Sequence, residues 1–261
     1  MSNSAGHFVW HDLMTTDTDG AKAFYGKVAG WSTQAWEGPM PYTLWTNNGA
    51  PLGGVMPLND DMRKMGMPAS WLPSVGVDNV DDSVARAEKL GGKTVAPAMD
   101  IPGAGRYALI QDPQGVTIAM FSPDGQMGGD DNGPGIRPPQ KGDFSWHELS
   151  TSDSVAAFDF YSKLFGWEKT GEFDMGKMGV YLMYGQGGVP YGGMMTRTPE
   201  MPPPYWLCYI MVDDAKASAE TIKAAGGNIM MGPHEVPGGD WIAIATDPQG
   251  AATAVHSVKP K

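Results

Sequence analysis

Two carboxylates stand at the same place in a phrase that the chain repeats. Trp10-His11-Asp12-Leu13 returns as Trp146-His147-Glu148-Leu149, an offset of 136 residues (146 − 10). A carboxylate held against apolar side chains resists ionisation, so its pKa rises and it can act as a general base near neutrality. It can equally anchor a neighbouring strand or an indole N–H, because a buried polar group needs a hydrogen-bond partner. Asp12 and Glu148 are the catalytic candidates on the first reading and structural anchors on the second, which is the one favoured. Strand side chains alternate, so Trp10, Asp12 and Met14 share one face while Val9, His11 and Leu13 share the other. His11 and His147 are therefore read as hydrogen-bonded core histidines, unless a β-bulge re-aims them.

Those faces depend on the elements that carry them. Residues 8–14 read as a strand; Thr16 and Asp17 offer an N-cap, and Ala21, Phe24, Tyr25 and Val28 recur at helical spacing until Gly30. Strands over 31–36, 42–46 and 52–57 follow, then a loop over 59–68. The pattern restarts with a strand over 71–77, a helix over 80–90 and strands near 94–98, 107–111 and 117–121. The second half repeats this order: strand 144–150, helix 154–164, and strands around 167–170, 179–184 and 192–196. It closes with strand 205–212, helix 215–225 and strands around 228–231, 241–246 and 253–258. Each half is thus two βαβββ modules. The copies also share Phe24-Tyr25 with Phe160-Tyr161, Gly30-Trp31 with Gly166-Trp167, and Gly53-Gly54 with Gly192-Gly193. Asp112-Pro113-Gln114-Gly115 likewise returns as Asp247-Pro248-Gln249-Gly250. So long a period predicts tandem domains, not a solenoid. The expected division is a domain over 1–123, a linker rich in Gly, Pro and Asp over 124–141, and a domain over 142–261.

A formal net charge of −11, with no basic cluster interleaved with aromatics, argues against nucleic acid or an anionic membrane as partner. The single cysteine, Cys208, lies in an apolar run, cannot form an intrachain disulfide and reads as an inert buried thiol. The polar start of the chain carries no signal-peptide pattern, which makes the cytoplasm the expected location. No phosphate loop, dinucleotide fingerprint or nucleophile elbow is present. The 19 methionines and nine tryptophans suit an apolar, aromatic-lined small-molecule pocket.

Four βαβββ modules, with Phe-Tyr-x4-Gly-Trp closing the first helix of each half and Asp-Pro-Gln-Gly near its end, resemble the glyoxalase / bleomycin-resistance / extradiol dioxygenase superfamily. The resemblance implies an α+β fold of two tandem glyoxalase-like domains. Each would be a pair of βαβββ modules forming a cup-shaped mixed sheet with helices on the outside. Metal-using members carry ligands on the cup-facing side of the first and last strand of each module. Carried onto this chain, those positions are Trp10 and Trp146, Leu72 and Leu207, Ala119 and Ala254, and the stretches Gly53–Met56 and Gly192–Met195. None is His, Asp, Glu or Cys, the donors that divalent cations require. No metal ligands and no cofactor are therefore expected.

The cup-facing candidates for ligand contact are Trp10, Met14, Leu72, Arg106 and Phe121 in the first half, and Trp146, Leu207, Tyr209 and His256 in the second. The function that follows is metal-independent binding of an apolar or aromatic small molecule, for sequestration, resistance or sensing. The alternative is a lyase or isomerase with Glu148 or Asp12 as general base; an extradiol-type dioxygenase ranks last. The expected partner is a small-molecule ligand, and the protein a monomer with paired domains or a homodimer.

Overall fold

The computed structural model describes residues 4–38, 40–124 and 137–259. The expected linker falls mainly on residues 125–136, outside the described residues. Along the first half run β1 (Phe8–Thr15), α1 (Thr18–Val28), β2 (Ser32–Ala35), β3 (Thr43–Asn47), β4 (Ala50–Pro57), α2 (Asp60–Lys64), β5 (Ser70–Gly76), α3 (Val80–Lys89), β6 (Lys93–Ile101), β7 (Gly105–Gln111) and β8 (Thr117–Pro123). The second half holds β9 (Phe144–Thr151), α4 (Ser154–Phe165), β10 (Glu168–Asp174), β11 (Val180–Gln186), β12 (Val189–Thr196), β13 (Tyr205–Met211), α5 (Ala215–Ala224), β14 (Asn228–Glu235), β15 (Trp241–Thr246) and β16 (Ala252–Ser257). The fold is α+β with two eight-stranded mixed sheets, ordered β2-β3-β4-β1-β5-β8-β7-β6 and β10-β11-β12-β9-β13-β16-β15-β14. Each sheet follows one sequence repeat. Parallel pairing joins β1 to β4 and β5 to β8, while β2–β3, β3–β4, β6–β7 and β7–β8 are antiparallel.

The helices begin where a side chain satisfies the first free backbone N–H groups. Asp17 accepts from Gly20 N, Asn79 from Asp82 N, Asp153 from Val155 N and Ala156 N, and Asp214 from Lys216 N and Ala217 N. The same device corrects one expectation. Within the predicted loop over 59–68, Asn59 caps Met62 N and starts the short helix α2. Asp60 and Asp61 in its first turn and Arg63 and Lys64 in its last suit the helix dipole.

The backbone divides into two compact units, and each draws on both repeats. One unit comprises Trp10–Leu72, Pro138–Ser145 and Leu207–Lys261, and contains Asp12; the other comprises Met1–Val9, Pro73–Arg137 and Trp146–Trp206, and contains Glu148. In the Asp12 unit, Leu13, Phe24, Tyr25, Trp45, Val55 and Trp71 pack with Ile210, Ile222, Ala243 and Val255. In the Glu148 unit, Val75, Ile110, Ile118 and Met120 pack with Leu149, Tyr161, Leu164, Tyr184 and Trp206.

The repeated Asp-Pro-Gln-Gly motif and the repeated helix tyrosine meet crosswise inside these units. Asp112 Oδ1 accepts from the backbone N–H groups of Gln114 and Val116, which closes the turn, and Oδ2 accepts from Tyr161 Oη at 2.9 Å. Asp247 Oδ1 accepts from Gln249 N and Ala251 N, and Oδ2 from Tyr25 Oη at 3.2 Å. The tyrosine comes from one repeat and the aspartate from the other. Burial, reinforced by the aspartate's charge, drives both phenols well above their usual range. Tyr161→Phe leaves the buried Asp112 one donor short, so it is expected to lower the unfolding free energy by about 1–3 kcal/mol in urea titrations. An unchanged midpoint would show that this bond contributes nothing.

Candidate functional site

β1 and β9 are interior strands of their sheets, and their alternation places the two carboxylates on one face. In the parallel register Asp12 stands opposite Gly54 and Met14 opposite Met56; Glu148 stands opposite Gly193. Across the antiparallel pairs, Gly54 faces Leu44 and Gly193 faces Met183. Two residues before Leu44 and Met183 come Tyr42 and Tyr181, on the same face by strand period.

The repeated Gly-Gly dipeptide makes this arrangement possible. A Cβ at Gly53 would lie 2.2 Å from the His11 carbonyl oxygen, and one at Gly192 1.8 Å from that of His147. The first glycine therefore permits close approach of the parallel strand. A Cβ at Gly54 would lie 2.0 Å from the ring of Tyr42, and one at Gly193 2.1 Å from the ring of Tyr181. The second glycine leaves a seat across which each phenol ring lies.

From that seat each tyrosine links an indole to a carboxylate. Trp10 Nε1 donates to Tyr42 Oη at 2.7 Å, and Tyr42 Oη donates to Asp12 Oδ1 at 2.5 Å. Trp146 Nε1 donates to Tyr181 Oη at 2.8 Å, and Tyr181 Oη donates to Glu148 Oε2 at 2.9 Å. Trp36 packs edge-on against Tyr42, with ring centroids 5.6 Å apart.

Asp12 is 7% exposed, and burial raises its carboxyl from 3.8 to about 6 against the opposing pull of the Tyr42 and Trp10 hydrogen bonds. Burial, followed by the charge of Glu148, drives the Tyr181 phenol well above its ordinary value and pushes Tyr205 up to about 12. Asp12 can therefore exchange a proton near neutrality. Each tyrosine is a committed donor, spending its proton on the carboxylate instead of offering it to a bound molecule.

His11 and His147 lie on the opposite face, buried and flat against aromatic rings. His11 stacks on Phe144 at 3.7 Å and His147 on Phe8 at 3.6 Å. Their Nδ1 atoms lie 3.4 Å from the carbonyl oxygens of Leu52 and Tyr191 respectively. Burial lowers His147 to about 3, so its ring is neutral. Cys208 is buried, and burial pushes its thiol up.

The divalent ion of metal-using relatives does not fit the side chains at the transferred positions. The Trp10 indole already donates to Tyr42, and Leu72, Ala119, Leu207 and Ala254 are buried side chains with no donor atom. Within neither compact unit do three ligand atoms of His, Cys, Asp or Glu converge among the described residues.

The remaining candidates are distributed as follows. Trp10, Met14, Leu72, Leu207, Tyr209 and His256 belong to the Asp12 unit; Arg106, Phe121 and Trp146 belong to the Glu148 unit. Trp10, Met14, Trp146 and Phe121 are half-buried, and Leu207 and Tyr209 are buried. Arg106 is spent on carboxylates: its Nε and Nη2 bond Asp81 at 2.6 and 2.9 Å, and Nη1 bonds Asp100 at 2.7 Å. His256 has partners that the sequence did not indicate, Ser145 Oγ at 3.0 Å and Asp240 Oδ2 at 3.2 Å. Tyr42 and Tyr181 were missed. A signal existed, since they stand 139 residues apart (181 − 42), the same offset as Gly53 and Gly192.

Comparisons with known proteins agree with this architecture. The model of the Glyoxalase/Bleomycin resistance protein/Dioxygenase superfamily matches residues 4–120 and 144–255. "Putative glyoxylase CFP32" of Mycobacterium bovis is 32% identical over 259 residues, covering 97% of this chain and 95% of that protein. "Anthracycline biosynthesis protein DnrV" of Streptomyces peucetius is 28% identical over 264 residues, covering 96% of this chain and 92% of that protein. The crystal structure of the Mn(II)-bound glyoxalase from Novosphingobium aromaticivorans superposes with a TM-score of 0.66 at 17% identity, covering 98% of this chain and 84% of that one.

Proposed function

We propose that this chain, which belongs to the Glyoxalase/Bleomycin resistance protein/Dioxygenase superfamily, binds an apolar or aromatic small molecule without a metal ion, in sequestration, resistance or sensing. The observation that carries this reading is the twice-built chain of indole, phenol and carboxylate. It lies on the strand face to which the family resemblance assigns the metal ligands, and its indole and phenol protons are spent within it. The name of the Streptomyces relative suggests a planar polycyclic ligand. Trp10 and Trp146 offer flat surfaces on which such a ring can stack. The protein acts on a small molecule, not on nucleic acid or membrane, in the cytoplasm, as a monomer or homodimer. Among the described residues no helix is long and apolar enough to cross a membrane.

The test pairs metal analysis of the purified protein with quenching of tryptophan fluorescence by a hydroxyanthraquinone. Saturable quenching by metal-poor protein is the expected result. Stoichiometric zinc, nickel, manganese or iron would overturn the metal-free reading. The second reading, a lyase or isomerase of glyoxalase type with Asp12 or Glu148 as base, draws on one observation, the poise of Asp12 near neutrality. Turnover of methylglyoxal–glutathione hemithioacetal that falls at least about a hundredfold in Glu148→Gln or Asp12→Asn, in keeping with the usual size of general-base catalysis, would promote it over the first. An extradiol-type dioxygenase ranks last, because ferrous iron needs two histidines and a carboxylate.

A further inference from the structure

Asp12 is a carboxylate with a specific shortage. It is 7% exposed, and Tyr42 Oη donates to its Oδ1 at 2.5 Å. An ionised carboxylate is acceptor-only and has room for about four hydrogen bonds. The partners within its unit do not meet that demand. The paired strand β4 presents Gly54 and Met56 beside it, neither of which titrates or donates from a side chain. The part of β5 in this unit, Ser70 to Leu72, holds no ionisable side chain, and no ion pair reaches Asp12 among the described residues. Trp10 Nε1 is spent on Tyr42 Oη and Tyr42 Oη on Asp12 Oδ1, while the other polar candidates of this face, Tyr209 and His256, come from β13 and β16, with His256 held by Ser145 Oγ and Asp240 Oδ2. Its raised pKa agrees with this shortage, since burial outweighs the hydrogen bonds it receives.

A shortage of donors beside the rings of Trp10, Trp36 and Tyr42 describes what a bound molecule must bring. Resting on the reading that this face holds an apolar or aromatic small molecule, we propose that the ligand of the Asp12 unit is an aromatic compound bearing a hydroxyl or N–H group, which donates to Asp12. Tyr42 is the positioning residue in this scheme. By holding Oδ1, it orients the carboxylate and leaves the rest of its acceptor capacity to the ligand. The apolar part of the ligand lies against Trp10, Met14 and Leu72. Donor-bearing rings are selected over their alkylated analogues because an ether would leave the buried carboxylate unpaired.

Two probes test this, 2-naphthol and 2-methoxynaphthalene, in which a methyl group replaces the donor hydrogen. Because that methyl also adds bulk and apolar area, the pH dependence of the preference carries the test. The naphthol hydroxyl stays protonated between about pH 5 and 8, so any change in preference across that range belongs to the protein. Wild-type protein is expected to bind 2-naphthol about tenfold more tightly than the ether near pH 7.5, as for a hydrogen bond to a charged group. That preference should shrink to about onefold near pH 5, where Asp12 is protonated. Asp12→Asn should lose the pH dependence, and Tyr42→Phe, by removing a hydrogen bond that holds the Asp12 carboxyl down, should move that dependence to higher pH. Equal affinity for the two probes at all pH values would overturn the proposal and leave the binding function standing. Failure to bind either probe, together with failure to bind a hydroxyanthraquinone, would overturn the binding function and this inference with it.

Discussion

Gly53→Ala is expected to cost at least about 3 kcal/mol, a large part of the total stability of an ordinary domain. The added methyl carbon would sit 2.2 Å from the carbonyl oxygen of His11, a backbone atom of the interior strand β1. Neither strand can retreat without breaking the parallel ladder that pairs Asp12 with Gly54. Overpacking against backbone has no cheap relaxation, unlike overpacking against a side chain. Gly54→Ala supplies the contrast. There the methyl meets the far end of Tyr42, which can swing away. Stability should fall by about 1–3 kcal/mol, the cost of leaving a buried carboxylate one donor short, with no backbone clash added, while the link from Tyr42 to Asp12 disappears. Soluble yield, urea midpoints and probe binding of the two variants separate these outcomes. Similar losses of stability in both would show that the ring of Tyr42 is as immobile as the backbone.

Asp12→Asn is expected to stabilise the protein above about pH 6 while removing its recognition of donor-bearing ligands. The sign follows from linkage. The folded carboxyl titrates at about 6 and the unfolded one near 3.8, so the folded state holds the proton more tightly. Asp12 therefore contributes most below the unfolded value, and that contribution is lost as pH rises through about 6. The difference corresponds to about 3 kcal/mol. Asparagine keeps an acceptor for Tyr42 and carries no charge to bury. The variant should exceed wild type by up to about 3 kcal/mol near pH 7.5 and match it near pH 4. A variant less stable than wild type near pH 7.5 would show that the charge is already compensated in the fold, and the shortage argued for Asp12 would fall with it.

The repeat, the element order and the two faces of β1 and β9 were all legible in the sequence, because each rests on local rules. Capping aspartates, glycine stops and strand alternation act within a few residues. The helix tyrosines and the Asp-Pro-Gln-Gly turns were visible as repeated motifs, but their crosswise bonding was not. Tyr161 and Asp112 belong to different repeats, and nothing local indicates that modules from the two repeats combine in one compact unit. The helix over 60–64 was missed because the loop-like composition of 59–68 outweighed a single capping asparagine.

At the site, the division is sharper. The sequence by itself determined which side chains stand on the carboxylate's face, since strand parity needs no partner; that indole, aliphatic and methyl groups stand at the positions of metal ligands is what the family resemblance implies. It favoured anchors over bases for Asp12 and Glu148 without naming their partners. Only the tertiary structure decided what they bond. Their tyrosines lie 30 and 33 residues away along the chain, brought in by the register of β3 on β4 and of β11 on β12. Burial by residues distant in sequence then sets the proton affinity of Asp12, a collective property of the folded unit that no motif encodes.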